Sequence, residues 1–426
     1  MAKPTLLSPS PLCIRCLRIA LLPSQTPLSD KRRRISTYGY TQAKALVYSE
    51  HGNPSDALRL HKHSLPPPHS TLLTLRALAA PLNPADINQI QGFYPTPPKD
   101  RHFTTALGTA SPSAIPGNEG VFEVVALGGQ AGKGNVGNGE EGLQKGDWVI
   151  PRRTGLGTWR THAQVDESAV LRIEKEGVSA SQVGSVSVNP VTAWRLLSGF
   201  VDWGVEFAKL AGGGGGGAGG GGPWYIQNGA NSAVGRVASQ LGKLWGLRGI
   251  AVVREREDKG EEEALKAEMR ALGAEKVVTD KEVGEKGFRE RIAEWTNGGR
   301  EEVRLGLNCV GGDAAMNMAK VLGKGGTMVT YGAMSKAPMR VGASMLIFKD
   351  LRFVGFWVSH WADEHPGEKR KVVDSVLDLY REGKLVESPT LDVRWNEETK
   401  QEELVQAVQG TLEGYRKGKG MFIFGE

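Results

Sequence analysis

Tyr94 closes the stretch Asn83-Pro84-Ala85-Asp86-Ile87-Asn88-Gln89-Ile90-Gln91-Gly92-Phe93-Tyr94. A phenol with a pKa near 10 keeps its proton at neutral pH and can donate it to a developing enolate. Taken by itself, a tyrosine between Phe93 and Pro95 reads more simply as a loop residue that packs. A second stretch, Gly229-Ala230-Asn231-Ser232-Ala233-Val234-Gly235, has the make-up of a phosphate-binding turn. Gly229 permits the tight turn, Gly235 lets a helix approach a strand, and the exposed N–H groups of the helix can hold a pyrophosphate. The next apolar run ends at Val253, where an acid would hold an unphosphorylated ribose. Arg254-Glu255-Arg256 stands there instead. Two guanidiniums fit a 2′-phosphate, so the expected cofactor is NADPH. The bland alternative is that this charged tract, running on to Glu263, is a solvated loop.

These groups need elements to place them. From Thr41 to about Ile173 the chain alternates short β-rich runs with Gly and Pro, as at 43–48, 72–80, 120–127 and 148–151. His61 and His63, beside Pro66-Pro67-Pro68, read as surface residues of a polar turn. The character changes near Asn189-Pro190, where a helix is expected to start. Strands are then expected at 224–228, 249–253, 276–279, 305–308, 327–331 and 351–356. Helices are expected between them at 232–247, 261–272, 288–295 and 314–322. Repeated βαβ units of this length predict a doubly wound parallel sheet with ligands at the carboxyl ends of its strands. A helix at 369–383, a strand at 391–395, a helix at 398–410 and a strand at 421–424 should return to the first domain.

The Asn83–Tyr94 stretch and Gly117-Asn118-Glu119-Gly120 resemble the corresponding places in mitochondrial trans-2-enoyl thioester reductases. Medium-chain alcohol dehydrogenases carry a zinc-binding Cys and His there; neither place offers such a ligand here, and a zinc-polarised carbonyl is not expected. The resemblance runs from Tyr40 to the carboxyl end. It implies an α/β chain with a GroES-like β-rich catalytic domain (39–188 and 360–426) and a Rossmann cofactor domain (189–359). It also implies reduction of a 2-enoyl thioester on acyl carrier protein or CoA, with Tyr94 as the acid, and a homodimer formed by edge-to-edge pairing of cofactor-domain sheets. Cofactor contacts implied by the resemblance are Asn189, Asn231, Ser232, Ala233 and Val234. Tyr331, Gly332, Ala333, Met334, Phe356, Trp357, Val358, Ser359 and Lys419 complete them, with Lys417 a close competitor of Lys419. For Phe356 and Trp357, core packing is the alternative. Asp86 and Asn88 should shape their loop rather than react. A zinc-free quinone reductase and a non-catalytic NADPH-binding protein are the competing readings.

Composition bounds the rest. At 426 residues the chain is long enough for two domains. The formal net charge is +6, and residues 1–40 carry all of it: Lys3, Arg15, Arg18, Lys31, Arg32, Arg33 and Arg34 stand against Asp30 alone. A nucleic-acid partner therefore loses its electrostatic argument. An Arg-rich, acid-poor leader predicts a mitochondrial transit peptide over 1–38, removed between Arg34 and Tyr38, and delivery to the matrix. No run approaches the roughly 20 apolar residues of a membrane span. Cys13 and Cys16 form a C-x-x-C inside that leader, without a second pair, so zinc or redox work there is not expected. Two glycine-rich tracts, 128–142 and 211–222, read as loop insertions.

Overall fold

A computed structural model describes residues 39–94, 103–133, 142–204, 222–411 and 418–425. The leader, its cleavage region, Lys417 and most of both glycine-rich tracts lie outside the described residues. In the β-rich part, β1 (Thr41–Val47) pairs antiparallel with β2 (Arg59–Leu65). Then follow β3 (Leu72–Pro81), β4 (Val121–Leu127), β5 (Trp148–Pro151), β6 (His162–Asp166) and β7 (Val170–Ile173). The second part builds β8 (Trp224–Gln227), β9 (Arg248–Val253), β10 (Lys276–Thr279), β11 (Val303–Asn308), β12 (Thr327–Thr330) and β13 (Arg352–Gly355). Finally β14 (Thr390–Trp395) and β15 (Lys419–Phe424) join the first part, because β15 pairs antiparallel with β3. The larger β-rich sheet runs β14-β15-β3-β4-β5-β7, with β6 also on β3.

The second sheet is wholly parallel in the order β10-β9-β8-β11-β12-β13. That order reverses between β8 and β11, and a crevice forms at the carboxyl ends of strands where order reverses. Two buried asparagines mark the spot: Asn228 Nδ2 donates to Asn308 Oδ1 at 2.8 Å, and the Cys309 N–H donates to Asn228 Oδ1 at 2.8 Å. The strands around it are nearly continuous apolar runs, as sheets covered on both faces require.

One apolar core crosses from sheet to sheet. It contains Ala79, Val121 and Ile150 of the first part with Val191, Leu196, Leu241, Val329 and Val373. The helices Asn189–Ser198 and Pro366–Arg381 pack on each other inside it. The latter helix therefore packs at the junction of the two parts.

Two expectations need correction. His61 and His63 do not sit in a polar turn. They are stacked on β2, rings 5.7 Å apart, and half-buried. Alternation along a strand puts both on one face, where burial, His61 and Arg160 lower His63 to about 4. The helix expected over 232–247 spans Ala233–Leu244, because Gly246 takes a left-handed φ of +71° that stops it.

Candidate active site

The helix Pro84–Ile90 presents the first motif. Pro84 occupies its first turn, where a missing N–H costs nothing. The Asp86 carboxylate reaches back to accept the Asn83 N–H at 2.8 Å. Ile87 and Ile90 bury against a cluster holding Leu46, Leu58, Trp159 and Phe422. Gly92, at φ +75°, ends the helix and turns the chain so that the N–H groups of Phe93 and Tyr94 both donate to the Asn88 carbonyl. Tyr94 is thus held at a helix end, and the motif is helical rather than a loop.

Across from it lies the end of β13. The Tyr94 ring meets Trp357 edge-on at 5.8 Å. Burial pushes the Tyr94 phenol above its usual pKa; hydrogen bonding with Trp357 and Ser359 opposes the rise, and the Asp86 charge adds to it. The phenol therefore holds its proton. Phe93, next in the chain, is exposed and carries the Lys336 ammonium 4.7 Å above its ring, so the two loops touch across the cleft.

Behind Tyr94 is a buried polar network whose members fall in the sequence motifs but whose pairing the sequence did not show. Asp86 accepts from the Asn118 N–H at 2.9 Å and from Asn118 Nδ2 at 2.6 Å. Asn83 Nδ2 donates to Glu119 Oε1 at 2.9 Å, and Asn189 Nδ2 donates to Asn83 Oδ1 at 3.1 Å. Lys419 Nζ stands 3.4 Å from Glu119 Oε1. Both acids are fully buried. A polar residue inside an apolar pattern was the available signal; Glu119, between Asn118 and Gly120, had none beyond its place in the second motif.

Burial raises Asp86 from its ordinary 3.8 to about 7, against the hydrogen bond from Asn83. The native state then binds a proton that the unfolded chain releases, so stability from this group is lost as pH rises from 3.8 toward 7. We expect Asp86→Asn, which cannot titrate, to flatten that segment of the Tm-versus-pH curve. Parallel curves for both proteins would contradict it.

At the other end of the crevice the glycine turn follows β8. Gly229 has φ +56°, and a Cβ on Gly235 would lie 2.5 Å from the Ala230 carbonyl oxygen. Ser232 caps the following helix through the Gly235 N–H at 3.2 Å. The Val234 side chain belongs to the core, so only its backbone is free for a ligand. An open cleft of about 170 Å³ is lined by Gly229, Asn231, Arg254, Arg256 and Asp280 among others. The turn and two guanidiniums in one cleft fit a dinucleotide bearing a 2′-phosphate. Glu255 is turned elsewhere: its carboxylate pairs with Lys259 at 3.1 Å and Lys281 at 3.6 Å.

The remaining expected contacts divide. Gly332 lies against Cys309, and the Met334 N–H donates to the Cys309 carbonyl at 2.9 Å, so Tyr331–Met334 follows β12 along the crevice. Ala333 and Met334 are exposed and Tyr331 half-buried. Phe356 packs on Phe200 at 5.6 Å and is half in the core. Trp357 is 41% exposed, and Val358 and Ser359 open the next helix. Asn189, Ala233 and Lys419 line one small cleft of about 20 Å³ with Tyr380 and Glu387. Among the described residues, no three His, Cys, Asp or Glu side chains gather as metal ligands would. No described helix is long and apolar enough to cross a membrane.

Comparison with known proteins decides the family. A mitochondrial enoyl-[acyl-carrier-protein] reductase of Schizosaccharomyces pombe is 39% identical over 389 residues, 90% of this chain and 96% of that protein. The chain belongs to the mitochondrial enoyl-[acyl-carrier-protein] reductase family. Residues 233–376 match the zinc-binding dehydrogenase family, a span that takes in β9 to β13 of the cofactor sheet but not β8. Among solved structures, a complex of Etr1p with NADP and crotonyl-CoA has a TM-score of 0.78 at 32% identity, covering 90% of this chain and 99% of that one. Etr1p with Etr2p also forms a solved heterodimer of mitochondrial 2-enoyl thioester reductases from Candida tropicalis, with a TM-score of 0.78 at 33% identity and the same coverage. An NADPH quinone oxidoreductase of Kluyveromyces marxianus is 35% identical over 354 residues, 83% of this chain and 85% of that protein.

Proposed function

We propose that this enzyme reduces trans-2-enoyl thioesters with NADPH in mitochondria, Tyr94 serving as the acid. The single observation that carries the assignment of Tyr94 is its half-buried phenol, edge-on to Trp357 at the strand ends of the cofactor sheet. NADPH supplies the hydride that C3 receives. The thioester oxygen then gains negative charge, and a hydroxyl donor fixed beside it stabilises that charge without reorganising. Tyr94 is fixed by the helix end and by Trp357, and its proton is available for C2. Arg254 and Arg256 take the 2′-phosphate, the turn 229–235 takes the pyrophosphate, and Asn189, Lys419 and the Tyr331–Met334 segment lie along the rest of the cofactor. We assign 39–188 and 360–426 to the GroES-like catalytic domain and 189–359 to the Rossmann domain.

The test is NADPH oxidation with a 2-enoyl-CoA, a 2-enoyl acyl carrier protein and a quinone in parallel. Turnover of the thioesters supports the reading. Turnover of the quinone alone would favour the activity for which the Kluyveromyces relative is named. Binding of NADPH with no turnover of any would leave a non-catalytic protein.

We further propose a homodimer through the open edge of the cofactor sheet. β13 ends that sheet and leaves Val354 exposed, and the preceding segment exposes Ile347 (71%) and Phe348 (74%). An unpaired edge beside apolar side chains is a template for pairing. We expect Ile347→Asp with Phe348→Asp to sediment as a monomer where the wild type sediments as a dimer. Unchanged sedimentation would place the interface elsewhere.

A further inference from the structure

We propose that Glu119 is a positioning residue that sets the Lys419 ammonium for the cofactor, an inference resting on the reading in which Lys419 contacts NADPH. Glu119 has no exposed surface, yet both its carboxylate oxygens are engaged. Oε1 takes Asn83 Nδ2 at 2.9 Å and stands 3.4 Å from Lys419 Nζ. Oε2 takes the Val188 N–H at 2.9 Å and the Ser187 hydroxyl at 3.3 Å. The Thr158 hydroxyl fixes the Glu119 carbonyl at 2.7 Å. With donors on both oxygens, the side chain cannot rotate without leaving a buried donor unpaired.

The partners come from three separate places in the chain: the start of the Tyr94 helix, the start of the helix Asn189–Ser198, and the first residue of β15. Lys419 is itself 88% covered, being 12% exposed at its side chain. It lines the small cleft with Asn189 and with Ala233, the first residue of the helix behind the glycine turn. A long flexible side chain there would sample several directions. A fixed carboxylate at one edge of the cleft opposes that. Asn83 joins the same carboxylate to Asn189, so one acid registers two expected cofactor contacts.

A double-mutant cycle on NADPH affinity tests this. Lys419→Met should weaken NADPH binding about tenfold, since hydrogen bonds to charged groups are the strong ones. Glu119→Gln keeps an amide oxygen for Asn83 or Val188 but removes the charge. It should weaken NADPH binding by a comparable factor, raising the KM for NADPH more than it lowers kcat. In the Lys419→Met background, Glu119→Gln should add less than twofold. Independent losses in the two backgrounds, or unchanged affinity in Glu119→Gln alone, would overturn the proposal. Unchanged affinity in Lys419→Met would instead remove Lys419 from the cofactor site, while NADPH binding by the wild type tests the cofactor itself. Should Glu119→Gln fail to fold, the paired variant, which strands no buried charge, compared with Lys419→Met still gives the deciding leg: a further loss under twofold supports the proposal and a tenfold one overturns it.

Discussion

Tyr94→Phe is expected to lower kcat with an enoyl thioester by roughly 10²–10⁴, the usual contribution of a positioned acid. Only the hydroxyl is lost. The ring keeps its edge-on contact with Trp357 and its place after Gly92, so fold and NADPH affinity should be retained. The loss should fall on kcat rather than KM, because the phenol's hydrogen bond strengthens as charge builds on the thioester oxygen. A residual rate should remain, since water can protonate the enolate slowly. Stopped-flow measurement of NADPH oxidation with saturating thioester would separate the step from release. Near-normal turnover would reduce Tyr94 to a packing residue and send the search for the acid elsewhere.

The second large effect is on cofactor choice. Arg254→Ala with Arg256→Ala should weaken NADPH binding by about 10², each lost charge-assisted bond being worth tenfold or more. NADH binding should change little. Both arginines line the cleft that begins at Gly229, and the nearest acid in the run, Glu255, is occupied by Lys259 and Lys281. Titration with both cofactors reads the difference directly. Equal losses would mean that this loop does not read the 2′-phosphate. Salt should narrow the gap, because part of the attraction crosses solvent.

The parallel sheet was legible because its strands are apolar runs separated by helical stretches. The helix at Phe288–Trp295 and the strand at Lys276–Thr279 match the expected bounds. Errors fell where one residue's φ decides the outcome, as at Gly246 after Leu244. β2 was missed since a half-buried strand of His, Lys and Ser lacks apolar alternation. The turn 229–235 and the arginine pair could be read from order along the chain, because that site is nearly contiguous. The network joining Asn83, Asp86, Asn118, Glu119, Asn189 and Lys419 could not. Its members are distant in sequence, and spacing carries no information about pairs brought together by sheet closure. Tyr94 was found through its motif, whereas its partner Trp357 entered only as an expected cofactor contact.

The placement of β15 has a consequence for the order of assembly. Met421, Phe422 and Ile423 pair with Pro81, Ala80 and Ala79, and β14 reaches the β-rich sheet only through them. A chain made from its amino end therefore cannot close that sheet until almost its last residue is free. Until then β3 keeps an open side, and contacts of such long sequence separation form slowly. This placement also makes the carboxyl terminus intolerant of loss. A truncation before Lys419 would delete the bridging strand and the partner of Glu119 together, so a prematurely ended chain would lack a finished sheet.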